Sequence, residues 1–226
     1  MWWAGSYITQ KIYVSHFVND EWTDQEEVYF SEDIRRYRDP FISPDGLKLY
    51  FISTDPLPGE AGTGKENFWI MDWESEGWGD PRPLPEGINS LNIHWTPSVA
   101  ANYDFYFSAN INGNPDIYKA EYKDGSYLDP VPLGQPVSTP DLEFTPQIAP
   151  DGSYLLFSRT VDSNSPTKLY ISYAIDEGWS EPVQVENVES CISPIVTPDR
   201  GYVIYLEGPS ALAWRDTSFI EELKPE

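Results

Sequence analysis

The chain repeats one short pattern four times, and this repeat constrains its fold more than any single residue does. Each copy has a hydroxyl or carboxylate residue before a proline, then a short apolar run, a turn and an aromatic-rich run. The four prolines are Pro40, Pro97, Pro146 and Pro194. Repeats of roughly 40–50 residues built from short strands are typical of the blades of a β-propeller. The sequence therefore predicts an all-β propeller.

A third apolar segment follows the first two in each repeat and sets the expected number of blades. Such segments occupy residues 11–17, 67–73, 116–122 and 168–173, with a weaker copy at 212–215. Five third strands predict a five-bladed propeller, formed as a single domain over residues 1–226. Its first blade is expected to be incomplete, because residues 1–10 are too few for two inner strands. An upstream truncation and a partner segment that fills the gap are both open explanations.

Composition and charge narrow the classes of function. The chain is 40% hydrophobic with nine tryptophans, which excludes a disordered acidic protein. Its net charge of −23 opposes binding to nucleic acid or to an anionic membrane surface. No apolar run approaches the ~18 residues that a membrane-spanning helix needs, so no membrane insertion is expected. The first residues show no signal peptide, which leaves a cytoplasmic location open.

The turns and outer segments carry a family resemblance. Pro-Asp-Gly turns at residues 44–46 and 150–152 precede aromatic strands, and Gly178–Pro182 reads Gly-Trp-Ser-Glu-Pro. Together with Asp116-Ile117-Tyr118 and the closing segment 219–225, they resemble the WD40-like repeat of TolB-type propellers, which are bacterial periplasmic proteins. The resemblance covers nearly the whole chain and implies a periplasmic or otherwise exported location. The second repeat departs from it at residues 100–103, where we expect an asparagine turn.

The candidate ligand-binding residues precede the proline of each inner strand. In a propeller, the loops that enter the innermost strands gather around the axis. This places six residues near a funnel-shaped face: Tyr37, Arg38, Asp39, His94, Glu143 and Cys191. The first hypothesis is a non-enzymatic binding or scaffold propeller that captures a protein, peptide, glycan or other cell-envelope ligand there. No catalytic residue, metal ligand or cofactor is assigned.

A second hypothesis is a carbohydrate-active hydrolase or lyase. Arg38-Asp39-Pro40 is similar to a tripeptide on an inner strand of five-bladed glycoside hydrolases, and Glu143 is a candidate second carboxylate. One observation opposes the hydrolase hypothesis. Asp39 lies directly before the inner-strand proline, a position that Thr96, Thr145 and Ser193 occupy in the other repeats. A side chain that bonds the backbone at the start of a strand explains all four. A third hypothesis, a regulatory propeller from a larger peptidase, has no catalytic domain in this sequence to support it.

Overall fold

The computed structural model describes residues 2–5, 11–32, 34, 36–61, 64–75, 77–111, 113–162, 164–208 and 211–225, with backbone alone at 2–5, His94 and Ile111. The chain forms two compact units, residues 1–92 and 93–226. The prediction of a single domain stays a prediction. Among the described residues, no helix has the length and apolar character needed to cross a bilayer.

The first unit contains two antiparallel sheets of three or more strands and one two-stranded sheet. Its elements are β1 (Trp2–Gly5), β2 (Ile12–Ser15), β3 (Phe17–Val18), β4 (Glu21–Trp22), β5 (Glu26–Glu27), β6 (Tyr37–Ile42), β7 (Lys48–Ser53), β8 (Asn67–Glu74), β9 (Gly77–Trp78), β10 (Arg82–Pro83) and α1 (Glu86–Asn89). The strand orders are β1-β2-β5 and β6-β7-β8-β10. The first sheet has three strands in the described residues, and the prediction of five blades with an incomplete first blade stays a prediction.

The second unit contains three further sheets of three or more strands and one two-stranded sheet. Its elements are β11 (Ile93–Val99), β12 (Phe105–Ile111), β13 (Asn114–Ala120), β14 (Tyr122–Lys123), β15 (Ser126–Tyr127), β16 (Val131–Pro132), β17 (Leu142–Ile148), β18 (Tyr154–Thr160), β19 (Lys168–Ile175), β20 (Gly178–Trp179), β21 (Val183–Gln184), β22 (Ile192–Val196), β23 (Tyr202–Glu207), β24 (Ala211–Asp216) and α2 (Ser218–Glu222). The first two sheets run β11-β12-β13-β16 and β17-β18-β19, with β21 also pairing β19. The last is β22-β23-β24. These repeated antiparallel sheets confirm the predicted all-β propeller.

The central strands form where short apolar and aromatic runs lie between turn signals, as in β7, where five of the six residues are buried. The turn of the second repeat is an asparagine turn, as expected: the Asn102 Oδ1 accepts the Asp104 amide at 3.1 Å. Where Pro-Asp-Gly is present, Gly46 and Gly152 have φ of 76° and 75°. Glycine adopts this left-handed conformation without steric cost, so the turn can be tight.

Apolar side chains between neighbouring sheets form the core. In the second unit, Leu156, Leu169 and Ile171 of the β17–β21 sheet pack with Val203 and Tyr205 of the last sheet. Each sheet is therefore buried on a face that it cannot cover itself. Fully burying one such side chain stabilises the fold by about 1.5–3 kcal/mol.

Every inner strand that begins a repeat contains a β-bulge with one residue in the left-handed region. These residues are Asp39, Trp95, Thr145 and Ser193, with φ of 52°, 53°, 50° and 52°. The pairing register shifts at each of them. A proline follows three of the four, which suits a bulge because proline has no N–H to offer the ladder. Since the strained backbone recurs in four blades, it belongs to the architecture and not to one catalytic centre.

The pairing of β11 shows that the predicted alignment of the second repeat with the others is off by one residue. Its bulge contains one more residue than the others: His94 pairs with Ser108 and Ser98 with Tyr106, whereas Phe144 pairs with Ser158 and Gln147 with Leu156. The prediction that Thr96 occupies the slot of Thr145 is therefore wrong, because the longer bulge moves Trp95 into it.

Buried hydroxyl groups connect the bulges of neighbouring sheets. The Thr145 amide donates to the Ser108 Oγ at 2.9 Å. The Thr145 hydroxyl bonds the Ser158 hydroxyl at 2.8 Å and accepts the Ser193 amide at 3.3 Å. Backbone N–H groups freed by the bulges thereby find partners on the next sheet, which a buried polar group requires.

We expect Thr145→Val to lower the free energy of unfolding by about 1–3 kcal/mol, because it leaves buried hydrogen-bonding groups without a partner. Urea unfolding followed by fluorescence measures the change. Thr96→Val is the matched control, since Thr96 also precedes a proline in a bulge but does not hold the left-handed position. A change within about 0.5 kcal/mol is expected for it. Equal losses in both variants would contradict the corrected alignment.

Candidate functional site

The position three residues before the inner-strand proline points into the sheets in three repeats. Tyr37, Glu143 and Cys191 are 1%, 0% and 0% exposed. In the second repeat the equivalent residue is Ile93 and not His94, because Ile93 pairs with Ala109 as Glu143 pairs with Arg159. The side chain of His94 lies outside the described residues. Its backbone pairs with Ser108 in β11.

Glu143 is held in a buried network of hydrogen bonds. Its Oε1 accepts the Thr139 hydroxyl at 2.6 Å and the Arg159 Nε at 2.8 Å, and its Oε2 accepts the Thr139 amide at 3.1 Å. Arg159 lies directly opposite on the neighbouring strand. It also donates to the Val137 carbonyl at 2.9 Å and lies over the Tyr170 ring at 4.6 Å. The pair thus anchors the loop that enters β17.

Burial raises the pKa of Glu143 above its ordinary value, against the opposing effects of Thr139 and of the Arg159 charge. Both carboxylate oxygens are engaged, and the side chain has no exposed surface. In this arrangement the carboxyl group orients the loop and the neighbouring strand.

Cys191 is enclosed in the core of the second unit. It packs with Leu156, Val203 and Tyr205, among others. Burial raises the pKa of its thiol to about 12, with a smaller opposite effect from a hydrogen bond to Ser158. A thiol in such surroundings is a weak nucleophile, because the thiolate is the reactive form.

Tyr37 closes the aromatic core of the first unit. Its ring lies 4.8 Å from that of Phe30 and 6.2 Å from that of Phe51. Its hydroxyl donates to the Val28 carbonyl, and the Lys11 ammonium lies 5.3 Å from the ring centroid. Burial raises the pKa of Tyr37. The side chain holds the segment before β6 against that strand.

Arg38 and Asp39 form the charged part of the first unit's candidate site, together with a residue that the sequence did not indicate. The Arg38 Nη1 donates to the Asp39 Oδ2 at 2.6 Å, and its Nη2 pairs with the Glu66 carboxylate. Side-chain exposures are 9%, 11% and 26% for Arg38, Asp39 and Glu66. Glu66 precedes the third strand β8. Only the register of β6-β7-β8 brings it to the inner strand.

Asn67 follows Glu66 in the chain and has unused hydrogen-bonding capacity. It is almost fully buried. Its Nδ2 donates to the Lys65 carbonyl at 3.4 Å, while its Oδ1 has no hydrogen-bond partner in the described part of the chain. A buried acceptor without a partner costs free energy unless water or a ligand supplies a donor. We name Arg38, Asp39 and Glu66 the Arg38 cluster.

The structure separates the six predicted residues into different environments. Arg38 and Asp39 belong to a partly exposed charged cluster, whereas Tyr37, Glu143 and Cys191 lie in packed interiors. Their assignment as ligand-binding residues stays a prediction. Within the described ranges, no three His, Cys, Asp or Glu side chains gather as a metal site would require.

We expect Arg159→Met to destabilise the protein by about 3–5 kcal/mol near neutral pH, because it leaves the Glu143 carboxylate buried without its counter-charge. The raised pKa means that the folded state binds this proton more tightly than the unfolded state does. Stability is therefore gained as the pH falls through that pKa and lost as it rises. The penalty should shrink between about pH 8 and about pH 5, as measured by urea unfolding.

The double variant Glu143→Gln/Arg159→Met is the control for this interpretation. It removes both charges, so it should lose less stability than Arg159→Met alone and show a weaker pH dependence. A penalty for Arg159→Met that is independent of pH would contradict the role given to Glu143.

We expect the Cys191 thiol of the folded protein to be unreactive toward a colorimetric disulfide reagent at mildly alkaline pH, because it is buried and its pKa is raised to about 12. In denaturant, the same thiol should react quickly and completely. Absorbance with and without denaturant measures both rates. Rapid reaction in the absence of denaturant would show that Cys191 is open to ligands.

Known proteins similar to this chain were found by structure and not by sequence. No protein-family model matches the sequence, and no curated protein matches it. TolB from Acinetobacter baumannii is 18% identical with a TM-score of 0.58, over 96% of this chain and 51% of that protein. A proposed TolB from Agrobacterium tumefaciens is 17% identical with a TM-score of 0.60, over 87% and 62%.

A peptidase shares the same architecture in part. The puromycin-hydrolyzing peptidase of Mycobacterium tuberculosis is 14% identical with a TM-score of 0.53, over 96% of this chain and 35% of that protein. The chain therefore spans less than two thirds of each of these structures. At such identities the similarity shows the fold alone. The repeated sheets and these neighbours together show that the chain folds as a β-propeller of the TolB-like type.

Proposed function

We propose that this chain is a non-enzymatic binding propeller that captures a protein, peptide or glycan ligand at the ends where its inner strands begin. In the first unit, the Arg38 cluster makes the contact. The observation that carries this proposal is the partly exposed group of charges itself, since the Asp39 and Glu66 carboxylates around Arg38 keep 11% and 26% of their side-chain surface exposed. A ligand that donates hydrogen bonds would meet these carboxylates there.

The charge of the cluster indicates what kind of ligand it prefers. Arg38 is shared by two carboxylates, those of Asp39 and Glu66, so the group carries a net negative charge. The whole chain has a net charge of −23. A positively charged or hydrogen-bond-donating segment would be attracted, and an anionic one repelled. A basic peptide segment is therefore the ligand class that we favour.

The hydrolase alternative receives less support from the geometry. Retaining and inverting glycosidases need two carboxyl groups that flank an accessible bond. Glu143 has no exposed surface and both of its oxygens are occupied. Asp39 occupies a bulge position that hydroxyl residues or tryptophan fill in the other repeats. A backbone role of that position explains the aspartate without catalysis.

Two further proposals rest on the comparisons. The resemblance to TolB-type propellers supports a periplasmic or otherwise exported location. The similarity to a puromycin-hydrolyzing peptidase supports a second candidate function, a regulatory propeller that works with a catalytic domain. In this second function, as in the first, the propeller recognises a ligand and performs no chemistry.

Binding of the folded chain to arrays of defined peptides and glycans tests the proposal. We expect saturable binding to a subset of lysine- or arginine-containing peptides. Glu66→Gln should weaken it by about tenfold, because it removes one charge-assisted contact. Asp39→Asn should weaken it similarly while keeping the bulge, since asparagine tolerates a positive φ. Asp80→Asn, an exposed site with the same change of charge, should have no effect.

Unchanged binding in both cluster variants would remove the site assignment. Release of reducing sugar from a glycan by the unmodified chain, lost in Asp39→Asn, would instead establish a hydrolase. Thermal unfolding of each variant shows whether a loss of binding comes from a loss of structure.

A further inference from the structure

The last sheet differs from the others at its outer edge. In the other four sheets a two-residue fourth strand pairs with the third strand: β5 with β2, β10 with β8, β16 with β13 and β21 with β19. In the last sheet the order is β22-β23-β24, and within the described residues no strand pairs with the outer side of β24. An open strand edge is a ready site for pairing with another chain.

The four fourth strands share one chemical feature. Each is followed by an aliphatic residue whose amide donates to a carbonyl of the third strand at 2.9–3.0 Å. These residues are Val28, Leu84, Leu133 and Val185. Leu84 and Val185 are buried. A fourth strand in this protein is thus a short extended segment followed by a valine or leucine, which is buried in two of the four sheets and partly buried in the other two.

Register identifies the equivalent position on β24. The carbonyl that receives this bond belongs to Leu169 in the β19 strand, and Leu169 pairs with Ser158. Leu212 pairs with Leu206 at the corresponding place in the last sheet. The Leu212 carbonyl is therefore the acceptor that an added fourth strand would use.

The face of the last sheet is also uncovered where its equivalents are buried. Leu169 and Ile171, which pack with Val185 after their fourth strand as well as with the last sheet, are both 0% exposed, whereas Leu212 and Trp214 at the corresponding positions are 65% and 69% exposed. Tyr202 stacks edge-on against Trp214, with the ring centroids 5.2 Å apart. Exposed contiguous apolar surface of this kind marks interaction sites on soluble proteins.

We propose that β24 accepts an extended segment of a partner protein as the fourth strand of the last sheet. The segment carries a valine or leucine that packs beside Leu212 and Trp214, and its backbone pairs with β24. This occupant follows from the four fourth strands that the chain already uses. A second copy of the chain is disfavoured, because two molecules of charge −23 repel each other. The site is separate from the Arg38 cluster.

A synthetic peptide of residues 178–188, this chain's own fourth-strand segment of the β17–β21 sheet, is the probe. The peptide carries a photo-crosslinking group, and mass spectrometry maps where it attaches to the folded chain. We expect saturable binding with cross-links at residues 211–216. A peptide with Val185→Asp should bind at least about tenfold more weakly, because it cannot bury the aliphatic side chain.

Trp214→Thr keeps a residue that favours strands and should weaken peptide binding by about tenfold, through the loss of apolar contact. Trp22→Thr removes another exposed tryptophan and is the matched control, with no effect expected. Circular dichroism confirms that both variants fold.

Three results would overturn the proposal. The first is the absence of saturable binding to the folded chain. The second is cross-linking at 168–175, which would mean exchange with the chain's own fourth strand. The third is a concentration-dependent dimer that Trp214→Thr dissociates, since it would assign the edge to a second copy. None of these three results depends on whether the array experiment supports ligand binding at the Arg38 cluster.

Discussion

The structure depends on one constraint: a sheet of this repeat cannot bury its own apolar face and needs a neighbouring sheet to do so. Leu156, Leu169 and Ile171 illustrate it, because each is fully buried against the last sheet. Hydrogen bonding within a sheet satisfies the backbone but leaves such side chains in water. The packing between sheets therefore supplies most of the stability, and short strands suffice because each needs to fill only one layer.

The bulges make that packing specific. A flat apolar face can slide by a residue, whereas a bulge fixes register and turns a backbone amide toward the next sheet. The Thr145 hydroxyl accepts a hydrogen bond from the Ser193 amide, and the Thr145 amide donates one to the Ser108 hydroxyl. Apolar contact holds the sheets together, and these buried polar bonds define which residues meet. The same division separates Glu143, which orders a loop, from the partly exposed Arg38 cluster, which we propose as the ligand contact.

Much of the fold could be predicted from the sequence, because residues close together in the chain determine the strands and turns of each repeat. Proline, the turn and the aromatic run identify β6, β11, β17 and β22 and the strands that follow them. The third strand predicted at residues 67–73 is β8, Asn67–Glu74. What could not be predicted depends on register across strands. The extra bulge residue that displaces Thr96 leaves no local signal, and neither does the pairing of Arg159 with Glu143 or of Glu66 with Arg38. A candidate site read from inner strands alone therefore misses its partners on the second and third strands.

The longer bulge of the second inner strand has a consequence for symmetry. It brings the Trp95 ring to 4.7 Å from that of Phe144 on the neighbouring strand, where other repeats place an aspartate or a hydroxyl residue. The repeats are therefore not equivalent at this position: an aromatic contact joins the first two sheets of the second unit, whereas the Thr145 hydroxyl that accepts the Ser193 amide joins the next two. Exchanging one repeat for another would lose one kind of contact without gaining the other.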